Sequence, residues 1–260
     1  MLAEPLFDVP AFLALVLQPT DTGGEGSWLA APSGADFARM LLRWGHFVAG
    51  IVWIGILYFF NLINVPLMKE LDGPTKGIVV PKLMPRALWY FRWGALVTVF
   101  VGLTYYAMYL MPPDAQAANA NVWSWLGLWL LIVVIVWVII YGLIQKVNDG
   151  RVLAALVAIL TIIMAYLIIS SFKGNKTIAI GIGGGLGIIM LLNVWGIIWR
   201  AQKKIIAWTK DNAENGTPIP AESAKLARRA FLASRANAWL SLPMLLFMGV
   251  SHGDYIMFIK

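Results

Sequence analysis

The chain has 260 residues, of which 60% are hydrophobic and 13% charged, and it contains no cysteine. A soluble domain carries about 25% charged residues, so this composition indicates an integral membrane protein. The net charge of +7 sits in loops, where it sets topology, and it does not indicate nucleic-acid binding. The absence of cysteine excludes disulfides, thiolate-held iron–sulfur clusters and covalent c-type haem attachment.

The N-terminal segment is acidic. Its first 38 residues contain five Asp or Glu residues and no Lys or Arg. A secretory signal peptide begins with basic residues, so none is predicted here. We expect residues 1–37 to form an extracytoplasmic N-terminal segment, and residues 38–260 to form a transmembrane helical domain.

Six stretches are long and apolar enough to cross a bilayer, which takes about 20 residues in a helix. The predicted fold is therefore an all-α integral membrane protein with six transmembrane helices. The predicted spans are 38–65, 87–111, 122–145, 151–172, 177–199 and 230–251. Between them, Pro112–Asn121 reads as a turn. Residues 200–229 read as a helical extension, a break at Gly216–Pro218 and a short returning helix.

The distribution of basic residues predicts the orientation. Thirteen of the 20 Lys and Arg residues lie in the loops after spans one, three and five, and five lie on the other side. Cytoplasmic loops carry the excess of Lys and Arg, so both termini are expected outside the cytoplasm. The expected location is the bacterial inner membrane, with the lipid bilayer as the first partner.

The two histidines are the first candidate site. His46 lies near the start of span one and His252 at the end of span six, so both fall near the outer surface. Ionisable groups at membrane depth usually face the bundle interior and mark function. Two facing imidazoles are suitable axial ligands for the iron of a b-type haem. Gly50, one turn after His46, would leave room for a flat macrocycle, and Trp53 could pack against its edge.

Other readings of these residues stay open. The same histidines could bind copper with a methionine, or His252 could be an ordinary interfacial residue beside helices packed through small side chains. The run Ile180–Gly187, "IGIGGGLG", has small residues four apart and predicts a packing face that could also make space for a flat cofactor. Three amides inside spans are expected to bond neighbouring helices: Asn64, Asn193 and Asn237.

Four blocks of the sequence, in this order and spacing, resemble a known family. They read "RWGHFVAGIVWIGILYFFNLINVP", "LMPRALWYFRWGALVTVFVGL", "LLNVWGIIWRAQKK" and "ASRANAWLSLPMLLFMGVSH". Together they resemble the membrane domain of the bacterial membrane urate oxidases, also called urate hydroxylases, over about residues 38–253. In that family this domain precedes a cytochrome c module.

The resemblance implies a protein that oxidises urate to 5-hydroxyisourate and passes electrons to cytochrome c. The family's histidines match His46 and His252, and a likeness of span one to other haem-binding membrane proteins implies haem b at that pair. The chain ends at Lys260 without cysteine, so the cytochrome c module is expected to be absent and electrons to pass to a separate periplasmic cytochrome c. Urate is a planar anion, and Arg43 is the best-placed candidate to bind it.

Two further functions compete with a urate oxidase. The domain could serve as a non-catalytic accessory or electron-transfer subunit of a larger respiratory or photosynthetic membrane complex. A transporter or porphyrin-handling protein ranks third. Transporters place paired broken helices near the bilayer midplane, and Pro66, Pro85 and Pro243 are not arranged in that way.

Overall fold

The computed structural model describes residues 33–251 and 257–258. It divides into two compact units, residues 1–41 and 42–260, and residues 33–41 are the described part of the first. In that part the Asp36 backbone N–H donates to the Ser33 hydroxyl oxygen at 3.2 Å. This side-chain cap satisfies one of the free N–H groups at the start of a helix.

The described residues form six helices long and apolar enough to cross a membrane, as predicted, and no strand. Their backbone groups bond within each helix, which a chain in hydrocarbon requires. Three helices contain a short π-helical segment, at Phe59–Asn64, Tyr106–Leu110 and Val194–Ile198. The helices are α1 Gly34–Glu70, α2 Gly73–Ala117, α3 Val122–Lys146, α4 Gly150–Ser171, α5 Asn175–Asn215 and α6 Glu222–Val250.

Helix α5 is the centre of the bundle. Of its most apolar stretch, 78% is buried, against at most 39% in any other of the six helices. Its glycines explain this position, because neighbours approach them closely. A Cβ at Gly183 would lie 3.2 Å from the Met244 carbonyl oxygen, and one at Gly185 would lie 3.0 Å from the Val133 side chain. The predicted packing face is therefore present, and it faces both α3 and α6.

Helix α2 begins at Gly73, although the sequence predicted residue 87. Pro81 and Pro85 both lie inside the helix. The Asp72 carboxylate caps its start by accepting the Thr75 backbone N–H at 2.8 Å. Hydrogen bonds from the Thr75 side chain and backbone lower the pKa of Asp72 below its ordinary value. The extension also packs against α5, since a Cβ at Gly77 would lie 2.9 Å from that of Ala213. Capping and tertiary packing together maintain the helix.

Two other connections are shorter than predicted. Helix α2 continues to Ala117, so the turn predicted over residues 112–121 is reduced to residues 118–121. Helix α6 runs unbroken from Glu222 to Val250, so the short returning helix and span six are one element. The predicted break after α5 is present, because Gly216 ends that helix in the left-handed conformation at φ 72°.

Buried amides join α3, α5 and α6. The Asn193 amide nitrogen donates to the Asn237 side-chain oxygen at 2.8 Å, and Asn237 donates to the Met190 carbonyl at 2.9 Å. Trp137 Nε1 donates to the Asn193 oxygen at 3.2 Å. The expected interhelical role of Asn193 and Asn237 is confirmed. Asn64 is also buried, but its side-chain oxygen has no hydrogen-bond partner among the described residues.

Candidate cofactor site

A cavity of about 580 Å³ lies around His46. Its volume is within the range of roughly 300–1,000 Å³ that small-molecule sites occupy. Its walls come from α1, α2, α3, α5 and α6. The lining is almost wholly apolar, and the exceptions are side chains with one polar tip each. These exceptions are Arg43, His46, Trp53, Thr98, Tyr105, Tyr106 and Trp129.

The hydrogen bond of His46 fixes the chemical state of its ring. Nδ1 lies 2.9 Å from the backbone carbonyl oxygen of Thr98 on α2. A carbonyl oxygen only accepts, so Nδ1 carries the hydrogen, and in the neutral ring the lone pair is on Nε2. Histidines that bind metal commonly donate their other ring N–H to a carbonyl in this way. His46 is therefore held as a metal ligand would be held.

Helix α2 makes room for this ring at a glycine. A Cβ at Gly102 would lie 2.7 Å from both Cε1 and Nδ1 of His46, and 3.8 Å from Nε2. Real Cβ atoms do not approach so closely, so no larger residue fits at position 102 without moving the histidine. The Nδ1 edge of the ring thus faces α2, and Nε2 is the ring nitrogen farther from that helix.

The α1–α2 contact continues along one stripe of α2. A Cβ at Gly94 would lie 3.3 Å from the backbone nitrogen of Trp53, and a Cβ at Gly50 would lie 3.7 Å from the Thr98 methyl group. Gly94, Thr98 and Gly102 are spaced four apart, which places small residues on one helix face. This stripe brings α1 close enough for His46 to reach the Thr98 carbonyl.

The glycines of α5 divide between packing and the cavity. Gly181, Gly183 and Gly185 touch neighbouring helices, whereas Gly184 and Gly187 line the cavity. A Cβ at Gly187 would meet no atom within 4 Å. That this run also makes space for a flat molecule stays a prediction.

Two tryptophans in the cavity wall differ in their hydrogen bonding. Trp129 Nε1 donates to the Gly181 carbonyl at 2.9 Å. Trp53 is 1% exposed, and its Nε1 has no acceptor among the described residues. An unpaired buried N–H costs about 1–3 kcal/mol, so an acceptor supplied by a bound molecule would be stabilising here.

Comparison with models of protein families shows to which family the chain belongs. The family model described as urate oxidase N-terminal matches residues 32–258. The chain belongs to the urate oxidase N-terminal family. Searches of curated proteins and of solved structures found no match. The match spans every residue that lines the cavity, so the cavity is built within the family's own domain.

Four of the residues predicted for a urate oxidase site lie together in this wall. They are His46, Gly50, Trp53 and Arg43. Their role in binding stays a prediction. His252, the predicted second ligand, lies outside the described residues, and its role stays a prediction as well. Gly249, three residues before it in the sequence, lines the cavity.

Sequence reasoning missed several wall residues of this family member. Thr98 and Gly102 contact His46, and the spacing of Gly94, Thr98 and Gly102 at four-residue intervals was the available signal. Met244 and Met248 of α6 also line the cavity. Two apolar residues in a long apolar span gave no signal of their own.

Proposed function

We propose that this chain is a membrane redox protein that holds a b-type haem in the cavity around His46 and carries electrons from urate to a separate cytochrome c. The family match supports the link to urate oxidation. The observation that carries the haem assignment is the His46 ring, held through Nδ1 by the Thr98 carbonyl at the wall of a large apolar cavity.

The residues present fit such a cofactor. Within residues 33–251 and 257–258, no three His, Cys, Asp or Glu side chains gather as the ligands of a protein-held metal would. Haem iron needs only axial ligands from the protein, because the macrocycle supplies the others. The cavity offers one imidazole, apolar walls and the unpaired N–H of Trp53 for a polar group on the cofactor's edge.

When bound, haem supplies a one-electron relay, and two histidine ligands favour electron transfer over oxygen binding. His46 would hold the iron, and the Thr98 carbonyl would keep the ring in its ligating tautomer. Apolar residues from five helices would exclude water from the cavity. His252 is the proposed second ligand.

The proposed substrate site lies at the rim of the cavity. Urate needs several hydrogen-bond partners, and burying its polar groups unpaired in an apolar wall would be costly. Arg43 lines the cavity and is solvent- or lipid-exposed, so its guanidinium is the group placed to attract the urate anion.

Oxidation of urate with one water gives 5-hydroxyisourate, two protons and two electrons. Two oxidised cytochrome c molecules would take these electrons one at a time.

An optical titration tests the proposal. Purified protein should show a b-type haem spectrum that urate reduces without oxygen. Arg43→Gln should slow this reduction roughly tenfold or more, since hydrogen bonds to charged groups contribute about 1.5–3 kcal/mol. Lys173→Gln is the matched control, because it removes a positive charge from the α4–α5 connection and does not line the cavity. Haem that urate leaves oxidised would contradict the urate oxidase assignment.

Trp53→Phe should weaken haem binding by about 1–2 kcal/mol, because it removes one hydrogen bond to the cofactor. Trp129→Phe is the matched control, because Nε1 of Trp129 donates its hydrogen bond to the Gly181 carbonyl in the same wall. That second change should lower the thermal stability and leave the affinity within about twofold of the natural protein. Haemin titration of apoprotein measures both effects. Equal losses of affinity would show that Trp53 makes no bond to the cofactor.

A second function is favoured by the scarcity of polar groups in the wall. A cavity with few donors suits a cofactor better than a purine, so the chain could serve as an electron-transfer subunit of a larger membrane complex without urate chemistry. Haem that a partner complex reduces and urate does not would favour this function. Co-purification with that complex is the accompanying measurement.

A further inference from the structure

A second, smaller cleft of about 390 Å³ lies between α3 and α5, away from the cavity around His46. Three tryptophans and two basic residues account for most of its wall. Its lining includes Trp137, Trp195, Gly196, Trp199, Arg200 and Lys203. A cleft with aromatic sides and a cationic end is chemically suited to a ligand that is partly apolar and partly anionic.

The position of the cleft along α5 corresponds to a membrane surface. Arg200 follows Asn175, the first residue of α5, by 25 positions. At 1.5 Å per residue this is roughly 37 Å, which exceeds the roughly 30 Å of a hydrocarbon core. Trp195 and Trp199 therefore fall in the interfacial belt where tryptophan is common. Arg200 and Lys203 fall at the depth of lipid headgroups.

Within the described part of the chain, no carboxylate neutralises the two cations. Among the described residues, neither Arg200 nor Lys203 forms an ion pair, whereas the adjacent Lys204 pairs with Glu222 at 3.8 Å. A third cation lies behind the wall, because the Arg92 guanidinium stacks 3.9 Å from the centre of the Trp199 ring. The positive potential at the mouth of the cleft is therefore available to an anion.

We infer that this cleft binds one anionic phospholipid from the leaflet at the basic end of the bundle. The lipid phosphate lies between Arg200 and Lys203. The part of one acyl chain nearest the headgroup packs along Trp137 and Gly196. Basic pockets between transmembrane helices on the cytoplasmic side are known to bind anionic headgroups. A Cβ at Gly196 would already be in van der Waals contact with the Trp137 ring at 3.4 Å, so a side chain larger than alanine there would fill the cleft beside that ring.

Native mass spectrometry of the full chain, with phosphatidylglycerol or phosphatidylcholine added to the micelles, tests this inference. We expect one phosphatidylglycerol to be retained at least roughly tenfold more tightly than phosphatidylcholine, because both cations attract the net negative charge of its headgroup. The double variant Arg200→Gln/Lys203→Gln should lose that preference. The control Arg151→Gln/Lys225→Gln, which has the same net charge and leaves the cleft unchanged, should keep it.

Three results would overturn the inference. Equal loss in both double variants would mean that net charge alone attracts the lipid. Displacement of phosphatidylglycerol by glycerol 3-phosphate would identify a site for a soluble phosphate. Normal retention by Gly196→Leu, which keeps both cations but fills the cleft, would place the lipid elsewhere on the surface.

Discussion

Replacing His46 with glycine is expected to weaken haem binding by more than roughly 100-fold, so that the purified variant carries almost no haem. Loss of a partner that only supports a metal ligand costs about 10–100-fold, and loss of the ligand itself removes more. Added imidazole should restore the haem, because it fills the space of the missing side chain and supplies the same nitrogen. A pyridine haemochromogen assay measures the haem content with and without imidazole.

The control for this experiment is Trp44→Ala. Trp44 lies two residues from His46, is 64% exposed and does not line the cavity. It should retain haem as the natural protein does. Full haem content in His46→Gly without imidazole would exclude His46 as a ligand. If added imidazole does not restore the haem, and the variant also loses helical circular dichroism, His46 supports the fold instead.

Replacing Gly102 with alanine is expected to lower haem affinity by about 10–100-fold by displacing the ligand His46. The added methyl group would lie 2.7 Å from Cε1 and Nδ1 of His46, so the ring must move away from the Thr98 carbonyl. The ligand would then lose its orientation and its fixed tautomer. Haemin titration followed in the Soret region measures the affinity.

Gly45→Ala is the matched change on α1. A Cβ at Gly45 would meet no atom within 4 Å, and alanine is favoured over glycine inside a helix by about 1 kcal/mol. This variant should bind haem normally and unfold at a slightly higher temperature. If Gly102→Ala binds haem as tightly as Gly45→Ala does, the close contact between α2 and His46 does not position the ligand.

The fold was predictable because each span must satisfy its own backbone hydrogen bonds in lipid, which makes length and hydropathy nearly sufficient. The parts of the helices that extend beyond the predicted spans were not predictable. The start of α2 at Gly73 depends on the Asp72 cap and on packing of Gly77 against Ala213. That packing brings together residues far apart in the sequence. Proline is unfavourable inside a helix, so Pro81 and Pro85 gave no sign of the extension either.

The site was predictable on one helix and not across helices. His46, Gly50 and Trp53 are spaced four and three residues apart, so helical periodicity alone places them on one face. Thr98 and Gly102 join the site only because α1 packs against α2, and periodicity within one helix contains no information about its partner. The spacing of Gly94, Thr98 and Gly102 was the one pattern that indicated such a contact.

The most direct test of the haem assignment is a cryo-electron microscopy map of the purified protein in lipid nanodiscs. The proposal predicts a flat macrocycle in the cavity between α1 and α5, with its metal on Nε2 of His46 and the Thr98 carbonyl still on Nδ1. Density for an acyl chain in that cavity would contradict it. Side chains that fill the cavity beside a His46 ring with no bound metal would contradict it as well.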